Sequence, residues 1–207
     1  MKITIKHDAI KALLVIAPRS DIRYYLNGVC VDVRNGATTL VATDGHRLLA
    51  VPVPADDVEG ATDGQYILPR LALDSVKPVK VPRGDTLPIA IEIVGTQVII
   101  TGATTATSPT TDGRFPDWRR VVPASASNVP GHYNLAYLGD WGKVAELLGA
   151  SGKGSGVTAV IHHNGNDAAL VTFPISDALG VVMPCRVGAN NETAQHPGLP
   201  SWARMSD

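Results

Sequence analysis

The sequence predicts an α+β fold in which one helix laid on a small antiparallel sheet occurs three times along the chain. The same series of patterns, an apolar run, a helical stripe and then alternating strands, restarts near Ile3, Ile67 and Leu135, about 65 residues apart. Turn dipeptides such as Asn35-Gly36 separate the alternating runs, as hairpins require. Apolar residues make up 44% of the 207 residues, which is enough for a packed core.

The first unit is predicted as a strand, a helix and then paired strands. Residues 2–6 alternate between polar and apolar, which is typical of a strand. Asp8 is a candidate N-cap for the helix, and Pro18 ends it. Valines alternate over residues 29–33, and residues 54–64 form a loop before the next unit. The apolar stripe of the helix consists of Ile10, Leu13, Leu14 and Ala17.

The second and third units are expected to begin with strands at residues 65–68 and 133–137. Pro69 is expected in the first turn of a short helix that Pro78 ends, with Leu71 and Val76 among its apolar positions. In the third unit Asp140 is expected to cap a helix that Gly149 ends, with an apolar face of Trp141, Val144, Leu147 and Leu148. Further strands are expected at 89–94, 97–101, 157–162, 168–173 and 179–186, whereas the composition of residues 103–111 indicates a linker.

Composition and charge limit the possible functions. A net charge of −1 argues against a protein that coats DNA, but it leaves room for a ring whose bore alone is positive. No apolar run has membrane-spanning length, and no signal peptide precedes residues 1–4, so we expect a cytoplasmic protein without membrane partners. Cys30 and Cys185 lie in strand-like runs and are expected to be buried thiols.

Residues 40–49 carry the most informative local pattern. An apolar run ends abruptly in Asp44-Gly45-His46-Arg47, and a second apolar run follows at once. One interpretation is a hairpin corner, since Gly tolerates positive φ and Asp bonds its own backbone. Another is the rim of an apolar surface that holds a peptide. A third, an enzyme that uses Asp44 with His46, lacks a nucleophile in the sequence.

Other catalytic or metal chemistry finds little support. His162 and His163 are adjacent, and neighbouring residues in a strand point to opposite faces. No further cluster of ligands joins them, and no Gly-rich phosphate loop is present. We therefore expect no metal, no cofactor and no enzymatic activity.

Four segments in the same order resemble the bacterial replicative sliding clamp, the beta subunit of DNA polymerase III. Residues 41–48 and 21–29 are similar to its middle domain, 112–121 to the link between its middle and last domains, and 181–186 to its C-terminal strand. The resemblance implies a DNA clamp fold of about one and a half clamp domains. The implied division is a complete clamp domain at 1–122, half of the last domain at 123–186 and a disordered tail at 187–207.

The resemblance implies a pocket that captures short apolar peptide motifs of DNA polymerases and other partners, among them the clamp loader. Cys185 departs from the family, which often has a larger apolar residue there. The implied pocket residues are Leu26, Thr43, Gly45, His46, Arg47, Leu48, Pro116, Arg120, Val121, Asn134, Tyr137, Val181, Val182, Met183, Pro184 and Arg186.

The resemblance also implies a surface that faces duplex DNA and contacts phosphates without reading bases. A ring of this family contains twelve helix-on-sheet units, so chains with three units each imply a homotetramer. The alternatives are a head-to-tail trimer and a monomer or dimer that does not close into a ring. A rival function is a non-ring decoy that sequesters clamp-binding peptides. The implied DNA-facing residues are Lys11, Arg19, Arg23, Arg70, Lys77, Lys80, Lys143 and Lys153.

Overall fold

The computed structural model describes residues 1–81, 86–149, 159–174 and 176–187. The first unit contains β1 (Lys2–Ile5), α1 (His7–Ile16), β2 (Gly28–Arg34), β3 (Ala37–Thr43) and β4 (Arg47–Val53). The second contains β5 (Val58–Glu59), β6 (Gly64–Pro69), α2 (Arg70–Ser75), β7 (Ile89–Val94), β8 (Gln97–Thr101) and β9 (Thr105–Pro109). The third contains α3 (Leu135–Leu147), β10 (Val160–His162), β11 (Ala169–Phe173) and β12 (Ser176–Val182). Short 3₁₀ turns lie at Tyr24–Leu26, Ala55–Asp57 and Trp118–Val121.

The described strands form two antiparallel sheets. The order is β10-β11-β12-β4-β3-β2-β6 in the seven-stranded sheet and β5-β1-β7-β8-β9 in the five-stranded sheet. The first two units exchange their opening strands, because β1 pairs with β7 and β6 pairs with β2. The third unit joins the first through pairing of β12 with β4. Units one and three are therefore neighbours, and unit two pairs with the far side of unit one through β6.

Strands β2, β3, β4, β6 and β12 of the seven-stranded sheet contribute to two apolar layers, because successive side chains point to opposite faces. Leu49 of β4 and Val182 of β12 face α1 and α3, which pack against each other on that side. Leu48 and Val181 face the opposite side. There Phe115 and the segment that follows it cover the sheet, and this segment connects units two and three.

The third helix begins earlier than the sequence predicts. Residues 133–137 are not a strand, since α3 starts at Leu135. The physical reason is the N-cap, because the Asn134 side-chain oxygen accepts a hydrogen bond from the Ala136 N–H. Asp140 is therefore an interior residue of the helix and not its cap. The predicted end is confirmed, with Gly149 at a φ of 83° just after the helix.

Other boundaries also differ from the predictions. Helix α1 starts at His7, and Asp8 does not cap it but lies in the first turn, paired with Lys11 at 2.6 Å. Leu71 on α2 is 84% exposed, since the short helix buries Ala72 and Leu73 instead. Pro69 precedes α2, which ends at Ser75, before Pro78.

Two stretches differ from the strand assignments that the sequence predicts. The run at 103–111 forms the edge strand β9 and is not a linker. The strand expected at 179–186 ends at Val182, which leaves Cys185 outside it and exposed, whereas Cys30 is buried in β2 as expected.

The predicted tail from residue 188 onward lies outside the described residues. Among the described helices none is long and apolar enough to cross a membrane.

The junction of α3 with β12 depends on the absence of a side chain at Gly180. A Cβ there would lie 2.7 Å from the ring of Trp141, which is itself buried against Phe173. We expect Gly180→Ala to lower the free energy of unfolding by about 1–3 kcal/mol, because the core is already filled. Denaturant titration measures this. Gly142→Ala on α3 is the matched control, since its Cβ meets nothing within 4 Å. Equal stability of the two variants would contradict the packing argument.

Candidate functional site

A cavity of about 160 Å³ lies on the outer face of the seven-stranded sheet, where β4, β12 and the connecting segment meet. Its floor consists of the buried side chains Leu26, Leu48 and Val181. Val121 and Met183 line its mouth and are 46% and 40% exposed. The site is therefore an apolar depression with apolar side chains that a ligand can cover.

The turn between β3 and β4 supplies the polar rim. Asp44 Oδ1 accepts hydrogen bonds from the N–H groups of His46 (2.8 Å) and Arg47 (3.0 Å). Gly45 has a φ of 90°, which favours glycine at this corner. Thr43 closes the turn, because its hydroxyl donates to the Arg47 carbonyl at 2.7 Å and accepts from the Gly45 N–H at 3.1 Å. Asp44 thus holds the turn, which gives no support to an acid–base role with His46.

Arg47 connects this turn to the third unit. Its side chain is only 9% exposed and donates to Asp44 Oδ2 at 3.0 Å and to Asp140 Oδ2 at 2.6 Å. The guanidinium carbon lies 4.5 Å from the centre of the Tyr137 ring, a cation–π contact. Burial alone would raise the pKa of Asp140, but hydrogen bonds from Lys143 and Arg47 outweigh it and lower that pKa.

The connecting segment is fixed to the sheet by one buried carboxylate. Asp32 on β2 is 5% exposed and accepts a hydrogen bond from Trp118 Nε1 at 2.6 Å. Arg119 also donates to Asp32, and its guanidinium lies 4.3 Å from the centre of the Trp118 ring. These contacts set the position of Pro116 and Trp118, which form one wall of the cavity.

Arg23 forms part of the opposite rim. It donates to both carboxylate oxygens of Asp21, at 3.0 and 2.8 Å, and to the Asp44 carbonyl at 2.9 Å. Hydrogen bonds from the guanidinium and the backbone N–H of Arg23 lower the pKa of Asp21 to about 2. Through Asp44, Arg23 couples the 21–27 loop to the β3–β4 turn.

The structure brings ten of the sixteen predicted pocket residues to this cavity. Sequence reasoning missed four lining residues, although all four lie within or next to the segments that carry the resemblance: Arg23, Tyr25, Asp117 and Trp118. The predicted residues that line the cavity are Leu26, Thr43, Gly45, His46, Arg47, Leu48, Pro116, Val121, Val181 and Met183.

The other six lie elsewhere. Val182 points to the helix side of β12 and is fully buried, so it is not part of the apolar floor. Asn134 caps α3, and Tyr137 stacks on His46 with ring centres 6.0 Å apart. Arg120, Pro184 and Arg186 are outside the lining, and the last two follow the end of β12.

The structure separates the predicted DNA-facing residues into groups. Arg70 is 11% exposed in its side chain and donates to the carbonyls of Leu14 (2.8 Å) and Ala17 (2.5 Å), so it caps α1 and is not presented to a ligand. Arg23 belongs to the cavity rim. Lys153 lies outside the described residues. The remaining candidates are exposed on the surface: Lys11, Arg19, Lys77, Lys80 and Lys143.

The two adjacent histidines of β10 and its turn have separate partners. His162 Nε2 lies 2.9 Å from the Thr172 hydroxyl, and His163 Nδ1 lies 3.3 Å from the Tyr133 hydroxyl. Within the described ranges no group of three His, Cys, Asp or Glu side chains is placed to hold a metal ion.

Comparison with known proteins agrees with this architecture. A family model described as DNA polymerase III beta subunit, central domain, matches residues 4–117. The beta sliding clamp of Pseudomonas aeruginosa is 36% identical over 117 residues, which are 54% of this chain and 30% of that protein. The chain therefore matches less than a third of the length of this relative.

Solved structures extend the likeness to most of the chain. The DNA polymerase III subunit beta of Pseudomonas aeruginosa superposes with a TM-score of 0.64 at 21% identity, covering 90% of this chain and 66% of that one. A beta clamp from H. pylori, solved in complex with diflunisal, gives a TM-score of 0.67 at 14% identity, again covering 90% and 66%. At these identities the likeness shows the fold alone.

The Arg47–Asp140 contact predicts a defined pH dependence. We expect Asp140→Asn to reduce the free energy of unfolding by roughly 1–3 kcal/mol at neutral pH. Because the folded-state pKa of Asp140 is lowered, this difference is complete above its ordinary pKa of about 3.9 and shrinks as the pH falls through the folded value. Urea titrations from pH 7 to pH 3 measure it. The control is Asp177→Asn, an exposed aspartate of β12. A difference that persists undiminished at pH 3 would contradict the assignment.

Proposed function

Because the chain belongs to the DNA polymerase III beta subunit family, the bacterial sliding clamps, we propose that it is a processivity factor. In this proposal it encircles duplex DNA as a homo-oligomeric ring at the nucleoid and tethers a DNA polymerase without chemistry of its own. The observation that carries the proposal is the cavity, which has an apolar floor, exposed apolar side chains at its mouth and a hydrogen-bonded polar rim.

The cavity suits a short peptide with apolar anchors. Leu26, Leu48 and Val181 offer an apolar floor, and Met183 can adapt its unbranched side chain to a leucine or phenylalanine. The Met183 N–H donates to the His46 carbonyl at 2.8 Å, so the two sides of the cavity mouth are held together before any ligand arrives. Preorganisation of this kind reduces the entropy lost on binding. A polymerase and a clamp loader would both dock here through such motifs.

The DNA-facing role rests on the helix side of the sheet. Exposed cations lie on or beside α1 and α3, among them Lys11, Arg19 and Lys143. Asp8 and Asp140 pair with two of them, at 2.6 and 2.7 Å, which keeps the local positive potential modest. A modest potential would let a ring slide along phosphates without tight contact.

Ring closure is proposed from the count of units. Four chains with three units each would supply the twelve units of a family ring, in which each chain meets one neighbour through their second units and its other neighbour through their third units. Native mass spectrometry of the 207-residue chain gives the number of copies, and a solution scattering measurement shows whether the assembly has a central hole. A tetramer with a central hole supports the ring. A monomer that still binds peptide would indicate the decoy, and a head-to-tail trimer would contradict the twofold contacts.

The first test of function is peptide binding. We expect a peptide with a glutamine and a Leu-Phe pair to bind with a Kd in the micromolar range, about −8 kcal/mol. Met183→Ala should weaken binding by roughly 1–3 kcal/mol through lost apolar contact, whereas the control Val94→Ala should leave it unchanged. Val94 is 58% exposed on β7, in the other sheet. Calorimetry measures both, and no binding of the peptide by the unaltered chain would refute the pocket assignment.

The second test concerns DNA. We expect sequence-independent retention on circular duplex DNA that persists at moderate salt and is lost when the circle is cut. Topological linkage survives salt, whereas electrostatic contact alone is screened. Gel filtration of loaded complexes before and after linearisation measures this. If salt alone releases the protein from intact circles, the ring is wrong.

A further inference from the structure

The seven-stranded sheet contains a local twofold relation between two units. In each unit three strands follow the helix, and the third of these strands is β4, β9 or β12. Across the junction the order is β10-β11-β12-β4-β3-β2, so two equivalent third strands meet antiparallel. Units one and three of this chain thus associate by pairing third strand with third strand, whereas units one and two exchange their opening strands.

The remaining third strand, β9, is a sheet edge. Among the described strands it pairs only with β8. Its five residues, Thr105–Pro109, carry no charge, and Pro109 stands at the last position. Edge strands are usually protected by lysines, central prolines or bulges, which β9 lacks.

The register identifies the free backbone groups of β9. Thr110 N–H donates to the Thr96 carbonyl at 2.8 Å, so this pair is hydrogen-bonded on the β8 side. Hydrogen-bonded pairs alternate along an antiparallel ladder. The backbone groups of Thr105 and Thr107 and the carbonyl of Pro109 therefore point away from β8.

We propose that β9 pairs antiparallel with β9 of a second copy of this chain, centred on Thr107. This register overlaps the two strands completely. Each Thr107 exchanges backbone hydrogen bonds with Thr107 of the other copy. Each Thr105 N–H donates to the Pro109 carbonyl of the other copy. The missing N–H of Pro109 then falls at the end of the ladder. Because the strand is uncharged, a twofold axis through it brings no like charges together.

The helices agree with this arrangement. Across the β4–β12 junction α1 and α3 pack against each other, and α2 contacts β9 just as α1 contacts β4. Pairing of β9 strands would bring the two α2 helices to corresponding positions. Leu71 on α2 is 84% exposed in the single chain, so this helix has apolar surface to cover. The proposal rests on the proposed function, since it supplies one of the two contacts of the ring.

Cysteine cross-linking tests the register. In a Cys185→Ser background, Thr107→Cys should form a disulfide-linked dimer, because opposite residues of a hydrogen-bonded pair lie about 5.5 Å apart. Thr105→Cys is the matched control on the same strand. In this register Thr105 lies opposite Pro109 of the other copy. The two Thr105 residues are therefore four positions, or about 13 Å, apart along the strand, and the cysteine variant should not cross-link. Absence of cross-linking at Thr107, or equal cross-linking at both positions, overturns the proposal.

A charge variant tests the interface in solution. Thr107→Lys puts two lysines on the twofold axis and should weaken this contact at least about tenfold, with partial recovery in high salt. Thr107→Val keeps the contact. Analytical ultracentrifugation measures both, and unchanged assembly of the lysine variant overturns the proposal, as does pairing of β9 with a strand of another protein.

The outcomes separate this inference from the proposed function. A chain that binds peptide and stays on circular DNA but fails to cross-link at Thr107 loses the inference alone. A chain that cross-links at Thr107 but neither binds peptide nor stays on DNA loses the proposed function alone.

Discussion

The buried guanidinium of Arg47 is the constraint on which the rest of the site depends. It is 9% exposed and makes ion pairs with Asp44 in its own turn and with Asp140 on α3. Removing one partner of such a buried pair is costly, because an uncompensated charge then stays away from water. Unit three therefore cannot move away from unit one without breaking a charge pair that also shapes the rim of the cavity.

The cavity exists because three separate pieces of chain meet on one face of one sheet. Leu48 of β4 lies directly opposite Val181 of β12, and together they form the apolar floor. Asp32 holds Trp118 and Arg119, which positions the connecting segment as a wall. The cavity is thereby built between units, and neither unit alone supplies all of its walls.

Local signals allowed much of the fold to be predicted. Asn35 and Gly36 adopt φ values of 51° and 77°, as their hairpin turn requires, and the strands at 89–94 and 97–101 have the expected bounds. Failures arose where distant contacts decide. Val182 was expected in the pocket, but its register opposite Arg47 turns it to the helix side.

Distant contacts also explain why α3 starts earlier than predicted and why Asp140 is not its N-cap. The aromatic residues at 133–137 favour a strand locally, but the Asn134 cap and packing of Trp141 on the sheet favour a helix. Asp140 is 93 positions from Arg47, so no local pattern links them. The roles of the site residues in binding stay predictions.

Peptide affinity of the Asp140→Asn variant at neutral pH tests the central claim most directly. Asp140 does not line the cavity, so it can affect a bound peptide only through Arg47 and the junction of the two units. The account predicts weaker binding by at least about threefold with a correctly folded chain, a loss of order 0.7 kcal/mol. Unchanged affinity in a folded variant would contradict the claim that this contact assembles the site.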